Sequence, residues 1–265
     1  MRHWDGENNR RIPWIPWGLA FAGLVLLTGC ATPQYRTHPE FEQRLQAGMT
    51  IAVMPPDVKV YEVSAGEVPE LMDEWSETAR MNVIEAVRNR LPGKGTFTIR
   101  EFDPTQSEAA KAEFEDAVPL FRAVALSAAI HTYIESGAQF ETKTKQFDYS
   151  LGPLPMIRQA SGADAVLFIE GLDQVQSSGR VVRDVALLVV GAAFGVIIVP
   201  QGGLTALSAA LVDPQSGDVL WFNRHAVRGK YDLRQLDSAE SCVADAFDYF
   251  LTTFPATKPG AEMKK

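Results

Sequence analysis

Cysteine is scarce in this chain of 265 residues, with only Cys30 and Cys242 present. A disulfide framework is therefore excluded, and the fold has to rest on a hydrophobic core. Histidine is sparse too. Beyond His3, the histidines are His38, His131 and His225, lying in a polar stretch, a helical pattern and a strand end, so no metal cluster is expected. Positive charge is in deficit: 25 lysines and arginines face 33 acids, a net charge of −8. A chain of this sign has no electrostatic reason to bind nucleic acid. Also missing are a Gly-x-Ser-x-Gly elbow, a Walker loop, a dinucleotide glycine fingerprint and a His-Glu-x-x-His pair. These absences predict no catalytic residue, no metal and no cofactor.

What is present begins at the amino terminus. Arg2, Arg10 and Arg11 outweigh Asp5 and Glu7, and an uncharged run from Ile12 to Gly29 follows, densest from Leu19 to Leu27. It closes on Leu27-Thr28-Gly29-Cys30. A charged start, an apolar middle and small residues before a cut site are the layout of an export signal. The last four residues resemble a bacterial lipoprotein signal, which implies cleavage between Gly29 and Cys30 and a diacylglyceryl group on the Cys30 thiol. A transmembrane helix fits worse, because Pro13 and Pro16 leave about a dozen unbroken residues where roughly 20 are needed. The mature chain then keeps 22 basic and 31 acidic residues, a net charge of −9, with Cys242 as its one free thiol. Residue 31 is alanine and not aspartate, which by resemblance to enterobacterial sorting implies the outer membrane, with the domain facing the periplasm.

Beyond the signal at 1–29, residues 30–48 are polar with two prolines and read as a tether. A single domain is expected over 49–255, with an apolar insertion at about 181–203 and a polar tail at 256–265. Thr50 to Met54 and Val58 to Val63 read as two short strands, or as one strand broken by Pro55-Pro56. Helical spacing from Val68 to Leu91 predicts a helix with Pro69 in its first turn, and Phe97 to Phe102 predicts a strand. Asp103-Pro104 opens a helical region that Pro119 should break or kink. Residues 138–150 read as loop, 153–160 as a short helix, and Ala163 to Glu170 as a strand buried on both faces. Val212 to Val219 has the proline and glycine of a hairpin turn, and Ala239 to Leu251 marks a last helix. This order predicts an α/β fold, a mixed sheet packed with helices, plus one apolar helical segment.

The stretch Gly162 to Glu170, followed by Ala210-Leu211-Val212-Asp213 and Gly217-Asp218-Val219-Leu220-Trp221, resembles a family of small envelope lipoproteins. That family includes the curli secretion lipoprotein CsgG and the lipoprotein activators of penicillin-binding proteins. Ile51 to Pro56 fits the same pattern. The resemblance implies a CsgG-like sandwich, similar to the amino-terminal domain of TolB, and an envelope setting, without transferring any chemistry.

Val185 to Val199 is fifteen residues without a polar side chain, with Gly191 and Gly195 four apart. As one helix it would be about 22 Å long, too short to span a bilayer comfortably. Three readings stay open: a helix buried against the sheet, a helix dipping into lipid, or an apolar hairpin that oligomerises. For the second and third, Leu187, Leu188, Gly191, Phe194, Gly195 and Ile197 are the expected contacts.

The remaining reactive residues read as structural. Cys242 lies on the apolar side of the last helix, and Glu108, Glu113, Glu115 and Asp116 form a solvated helix face. Asp164 caps backbone at a turn, Trp75 and Trp221 belong to the core, and Arg224, His225, Arg228 and Lys230 form a basic strand end. Function is therefore expected to be non-enzymatic: a lipid-anchored envelope protein that binds an envelope partner or its own copies. The competing expectations are a periplasmic hydrolase of cell-wall or polysaccharide material and a secretion-channel component.

Overall fold

The computed structural model describes residues 35–45, 48–63, 69–91, 97–133, 140–176, 203–248 and 250. The chain divides into two compact units, Met1–Pro33 and Gln34–Lys265, and all the described residues belong to the second. Gly29, Cys30, Leu187, Leu188, Gly191, Phe194, Gly195 and Ile197 lie outside the described residues, as does the whole 185–199 run.

The fold is the expected mixed α/β arrangement: among the described residues, an eight-stranded sheet with helices on both faces. Its strands are β1 (Tyr35–Thr37), β2 (Thr50–Val53), β3 (Asp57–Val63), β4 (Glu70–Leu71), β5 (Thr98–Glu101), β6 (Ala165–Gln176), β7 (Leu204–Val212) and β8 (Val219–Arg228). Its helices are α1 (Phe41–Arg44), α2 (Asp73–Arg90), α3 (Glu108–Thr132), α4 (Glu141–Lys145), α5 (Pro155–Ser161) and α6 (Leu236–Ala246). The strand order is β1-β8-β7-β6-β2-β5, with β3 also paired to β6 and β4 to β3. β2, β3 and β5 run parallel to their neighbours β6 and β2, while β6, β7 and β8 form an antiparallel meander to which β1 adds an antiparallel edge. Among the described residues no helix is long and apolar enough to cross a membrane.

β6 explains the proline pair. Its first half pairs with β2 and its second half with β3, so Pro55-Pro56 marks the step between two segments lying along one long strand. Because β6 is central, its side chains from Ala165 to Gln174 are all buried. Ile51, Val53, Leu167 and Ile169 face α2 and α6, while Ala52, Val166 and Phe168 face α3 and α5. The two cores follow from the period of two along each strand. In α2 the buried set is Ala79, Val83, Ala86 and Val87, one face of a 3.6-residue helix. Gly217 closes the β7–β8 hairpin at φ 81°, and a Cβ there would sit 1.9 Å from the Gly152 carbonyl oxygen. Only glycine fits that turn.

Four expectations change. Residues 35–45, expected as tether, are built into the fold: Tyr35–Thr37 pairs with β8, and Phe41 and Leu45 are buried. Pro69 does not open α2. Glu70–Leu71 pairs with Tyr61 and Glu62 first, and the helix starts at Asp73. Pro119 does not break α3, which runs through it. Pro119 and Glu115, whose carbonyl loses its donor, are both exposed, so water can serve that carbonyl. Residues 141–145, expected as loop, form α4.

Candidate functional site

The site is built where the chain changes sides of the sheet. β5 and β6 flank β2 on opposite edges, and the helices before and after β5 lie on opposite faces. In open sheets that switch leaves a crevice beyond the carboxyl ends of the strands. Here the crevice is a cleft of about 270 Å³ lined by Val53, Met54 and Pro55 where β2 ends, by Glu101, Phe102, Asp103 and Pro104 where β5 ends, and by Arg80, Met81, Ile84, Glu85 and Arg88 of α2. A smaller hollow over Val53, Ile84, Val87 and Ile99 continues it along β5. The two form one groove with an apolar floor between α2 and the outermost strand.

The rim is charged but paired. Arg88 bridges Glu85 and Glu101, and Arg80 donates to Glu77 at 2.5 and 2.8 Å. The hydrogen bond from Arg80 holds the Glu77 carboxyl below its usual range. Met81, 53% exposed, overhangs the cleft as an unbranched, adaptable side chain. The cleft lining contains no histidine, cysteine or serine.

Among the described residues no strand pairs with the outer edge of β5, which ends the strand order. Thr98 and Phe102 donate their N–H groups to Met49 and Val53. With a period of two, Arg100 also faces β2, and Ile99 and Glu101 turn their N–H and C=O groups outward. An edge of this kind is a template for another strand.

A second polar feature crosses the middle of the sheet. Asp57, Glu170, Ser208 and Arg224 are successive cross-strand partners on β3, β6, β7 and β8. Arg122 of α3 reaches down to pair with Asp57. Burial pushes the Glu170 carboxyl up to about 7, and Asp57 adds to the rise, while Arg122, Ser208 and Arg224 oppose it. Burial also lowers Arg224. Among the described residues, Glu170 Oε2 and Arg224 Nε find no hydrogen-bond partner. This row was missed by sequence reasoning, which stopped the strand at Glu170. A charged residue ending an apolar run looks like a strand end until its neighbours are known.

On the other face Asp173 accepts from the Thr205 hydroxyl at 2.7 Å and the Leu233 N–H at 2.8 Å, fixing the loop before α6. Asp164 accepts the Thr50 N–H at 2.9 Å, the backbone-capping role expected of it. Glu113 accepts the Ile157 N–H in the first turn of α5, and Glu108, Glu115 and Asp116 are exposed. Trp221 is fully buried against Phe247 and Phe250, and Trp75 is partly buried beneath the Arg234 guanidinium. Cys242 is buried, with its thiol pushed up to about 12 by desolvation. The basic strand end is dispersed. Arg224 joins the polar row, His225 packs on Tyr231, and Lys230 pairs with Asp245 at 2.6 Å. Among the described residues no group of histidine, cysteine and acidic side chains converges to hold a metal.

No protein-family model matches the sequence, and no curated protein matches it. Solved structures with a similar course of chain include the PelC dodecamer from Paraburkholderia phytofirmans, with a TM-score of 0.36, 12% identity, and coverage of 84% of this chain and 96% of that one. The LpoB C-terminal domain from Salmonella enterica has a TM-score of 0.27 and 17% identity, over 72% of this chain and 93% of its own. Lipoprotein GNA1162 from Neisseria meningitidis has a TM-score of 0.27 and 13% identity, over 68% and 80%. Likenesses this remote assign no function to the chain.

Proposed function

We propose that this chain is a lipid-anchored protein of the bacterial envelope that acts by binding a protein partner, without catalysis. The observation that carries the binding is the α2–β5 groove at an open sheet edge. Its occupant is an extended polypeptide segment that pairs with β5, its inward side chains resting on Val53, Ile84 and Ile99 and its flanking charges meeting Arg88, Arg100 and Glu101. Strand addition of this kind takes affinity from main-chain hydrogen bonds and specificity from alternate side chains. The envelope setting rests on the sequence: the apolar leader closing on Leu27-Thr28-Gly29-Cys30 supports lipidation of Cys30, and Ala31 supports outer-membrane sorting. In the cleft Glu85 and Glu101 are paired with Arg88 and Asp103 is held by Thr105, an arrangement that supports binding over hydrolysis.

Two measurements test the two halves. Radiolabelled palmitate should enter the wild-type protein and not Cys30→Ser, and label retained by the variant would reject the anchor. Affinity purification of the lipidated protein should recover a stoichiometric partner that Glu101→Pro loses, because proline removes an outward N–H of β5 while leaving the bonds to β2. A partner retained unchanged by that variant would reject the groove.

A further inference from the structure

We infer that the polypeptide segment admitted by the α2–β5 groove is basic: an extended strand with an apolar residue opposite Ile99 and lysine or arginine at the next two alternate positions, opposite Glu101 and Asp103. The inference rests on the reading that β5 receives an added strand, and it supplies the charge and spacing of what is added.

The charge follows from how the cleft carboxylates are shared. The lining holds Glu85, Glu101 and Asp103 against two guanidiniums, Arg80 and Arg88. Both guanidiniums are engaged. Arg80 donates to a further carboxylate, Glu77, through Nε at 2.8 Å and through a terminal nitrogen at 2.5 Å. Arg88 is divided between Glu85 and Glu101, one cation against two anions. Asp103 is held by neutral donors, the Thr105 N–H at 2.9 Å and the Thr105 hydroxyl at 2.7 Å, and these bonds keep its carboxyl below the usual range. Four carboxylates facing two guanidiniums leave the rim two negative charges in excess.

The spacing follows from the period of two along β5. Ile99 packs toward the α2 core and Glu101 meets Arg88 of α2, so both face the groove. Asp103 continues that side with extended backbone at φ −102° and ψ 106°. In a strand laid alongside, directly opposite side chains share a face, with their Cβ atoms about 5 Å apart. The residue opposite Ile99 therefore reaches the apolar floor of Val53 and Ile84, and the next two on that face reach the carboxylates. Arg100 lies between Ile99 and Glu101 but is in register with Ala52, which packs on the α3 side. Its charge is turned to the other face of the sheet and does not neutralise this rim.

Magnitudes assign these charges a role in choice of partner. Glu101 and Asp103 are exposed, so each unlike pair adds at most about fivefold to affinity. Like charges directly opposite are unfavourable, so an acidic strand is rejected by a similar factor at each position. Main-chain pairing to β5 is common to any extended segment, and the carboxylates select among them.

The test uses the full-length protein in a nonionic detergent and fluorescent threonine heptapeptides carrying one isoleucine followed, at alternate positions, by two lysines or by two glutamates, each made in both chain directions. Anisotropy titrations are expected to show the better lysine peptide binding at least about tenfold tighter than either glutamate peptide, with the advantage shrinking in about 0.5 M salt. Glu101→Gln combined with Asp103→Asn keeps an acceptor for Arg88 and for Thr105, and should bring the two charges to within about twofold of each other. Glu101→Pro should abolish binding of all four peptides. Equal binding of both charges, a preference for glutamate, or a lysine preference that survives the neutral double variant would overturn the basic partner alone, provided Glu101→Pro still abolishes binding. Binding that is indifferent to Glu101→Pro, or binding of no peptide, would overturn the groove and the basic partner together.

Discussion

The two edges of the sheet are built in opposite ways. At one edge β1 is a three-residue strand, yet Arg36 ties it to α3, Arg44 ties the following helix to the β7–β8 hairpin, and its partner strand carries the fully buried Trp221. At the other edge β5 is a four-residue strand whose side chains are mostly exposed, bordered by a groove and with Glu101 paired to Arg88 at the surface. The first edge is held by tertiary contacts that its own three residues do not provide, and the second leaves its outer hydrogen-bonding groups without a strand partner among the described residues. Short, charged edge strands resist indiscriminate pairing. An apolar floor beside such a strand adds a way to admit one particular segment.

The contrast is broken most severely by Trp221→Ala, which opposes Thr37 across the β1–β8 pair. The cavity should cost about 3–5 kcal/mol in denaturant unfolding. A cost under about 1 kcal/mol would mean the anchored edge is not held by its core.

The middle of the sheet separates the edges and carries the next effect. In the fold Glu170 keeps its proton up to about pH 7, whereas in the unfolded chain it loses it near the ordinary 4.5. The folded state therefore binds more protons between these values, and stability falls as pH rises through that window. Glu170→Gln should flatten the fall and raise stability at pH 8 by up to roughly 3 kcal/mol, read from urea titrations at pH 5 and pH 8. An unchanged pH slope would show that Glu170 is solvated.

Arg44→Ala should cost about 1–2 kcal/mol, because it leaves Asp213 and Asp218 facing each other without their cation. On the open edge Glu101→Pro should change stability by less than about 1 kcal/mol while abolishing partner recovery. Equal stability losses at both edges would erase the distinction.

Much of this architecture was legible in the sequence because it follows local periodicity. The alternation of Val58 and Val60, the 3.6-residue spacing of Val83 and Val87, and the turn chemistry of Asp213 to Gly217 each name their element without knowledge of the rest. The failures share a cause. β1 has no alternation to read in three polar-flanked residues, and only pairing with β8 makes it a strand. Pro119 survives within α3 because the affected carbonyl faces water, a fact of tertiary placement. Glu170 looked like a strand end, although its burial depends on Asp57, Ser208 and Arg224, all distant in sequence. The groove was invisible for the same reason, since its floor joins β2, α2 and β5.

The central claim is that the open edge is where this protein meets its partner. Photocrosslinking in intact cells tests it most directly, with a benzophenone amino acid at Arg100 on β5 and, separately, at exposed Lys145 on α4. The account predicts one discrete adduct from position 100, abolished by Glu101→Pro, and none from position 145. Adducts of equal yield from both positions, or an adduct at 100 that survives Glu101→Pro, would contradict it.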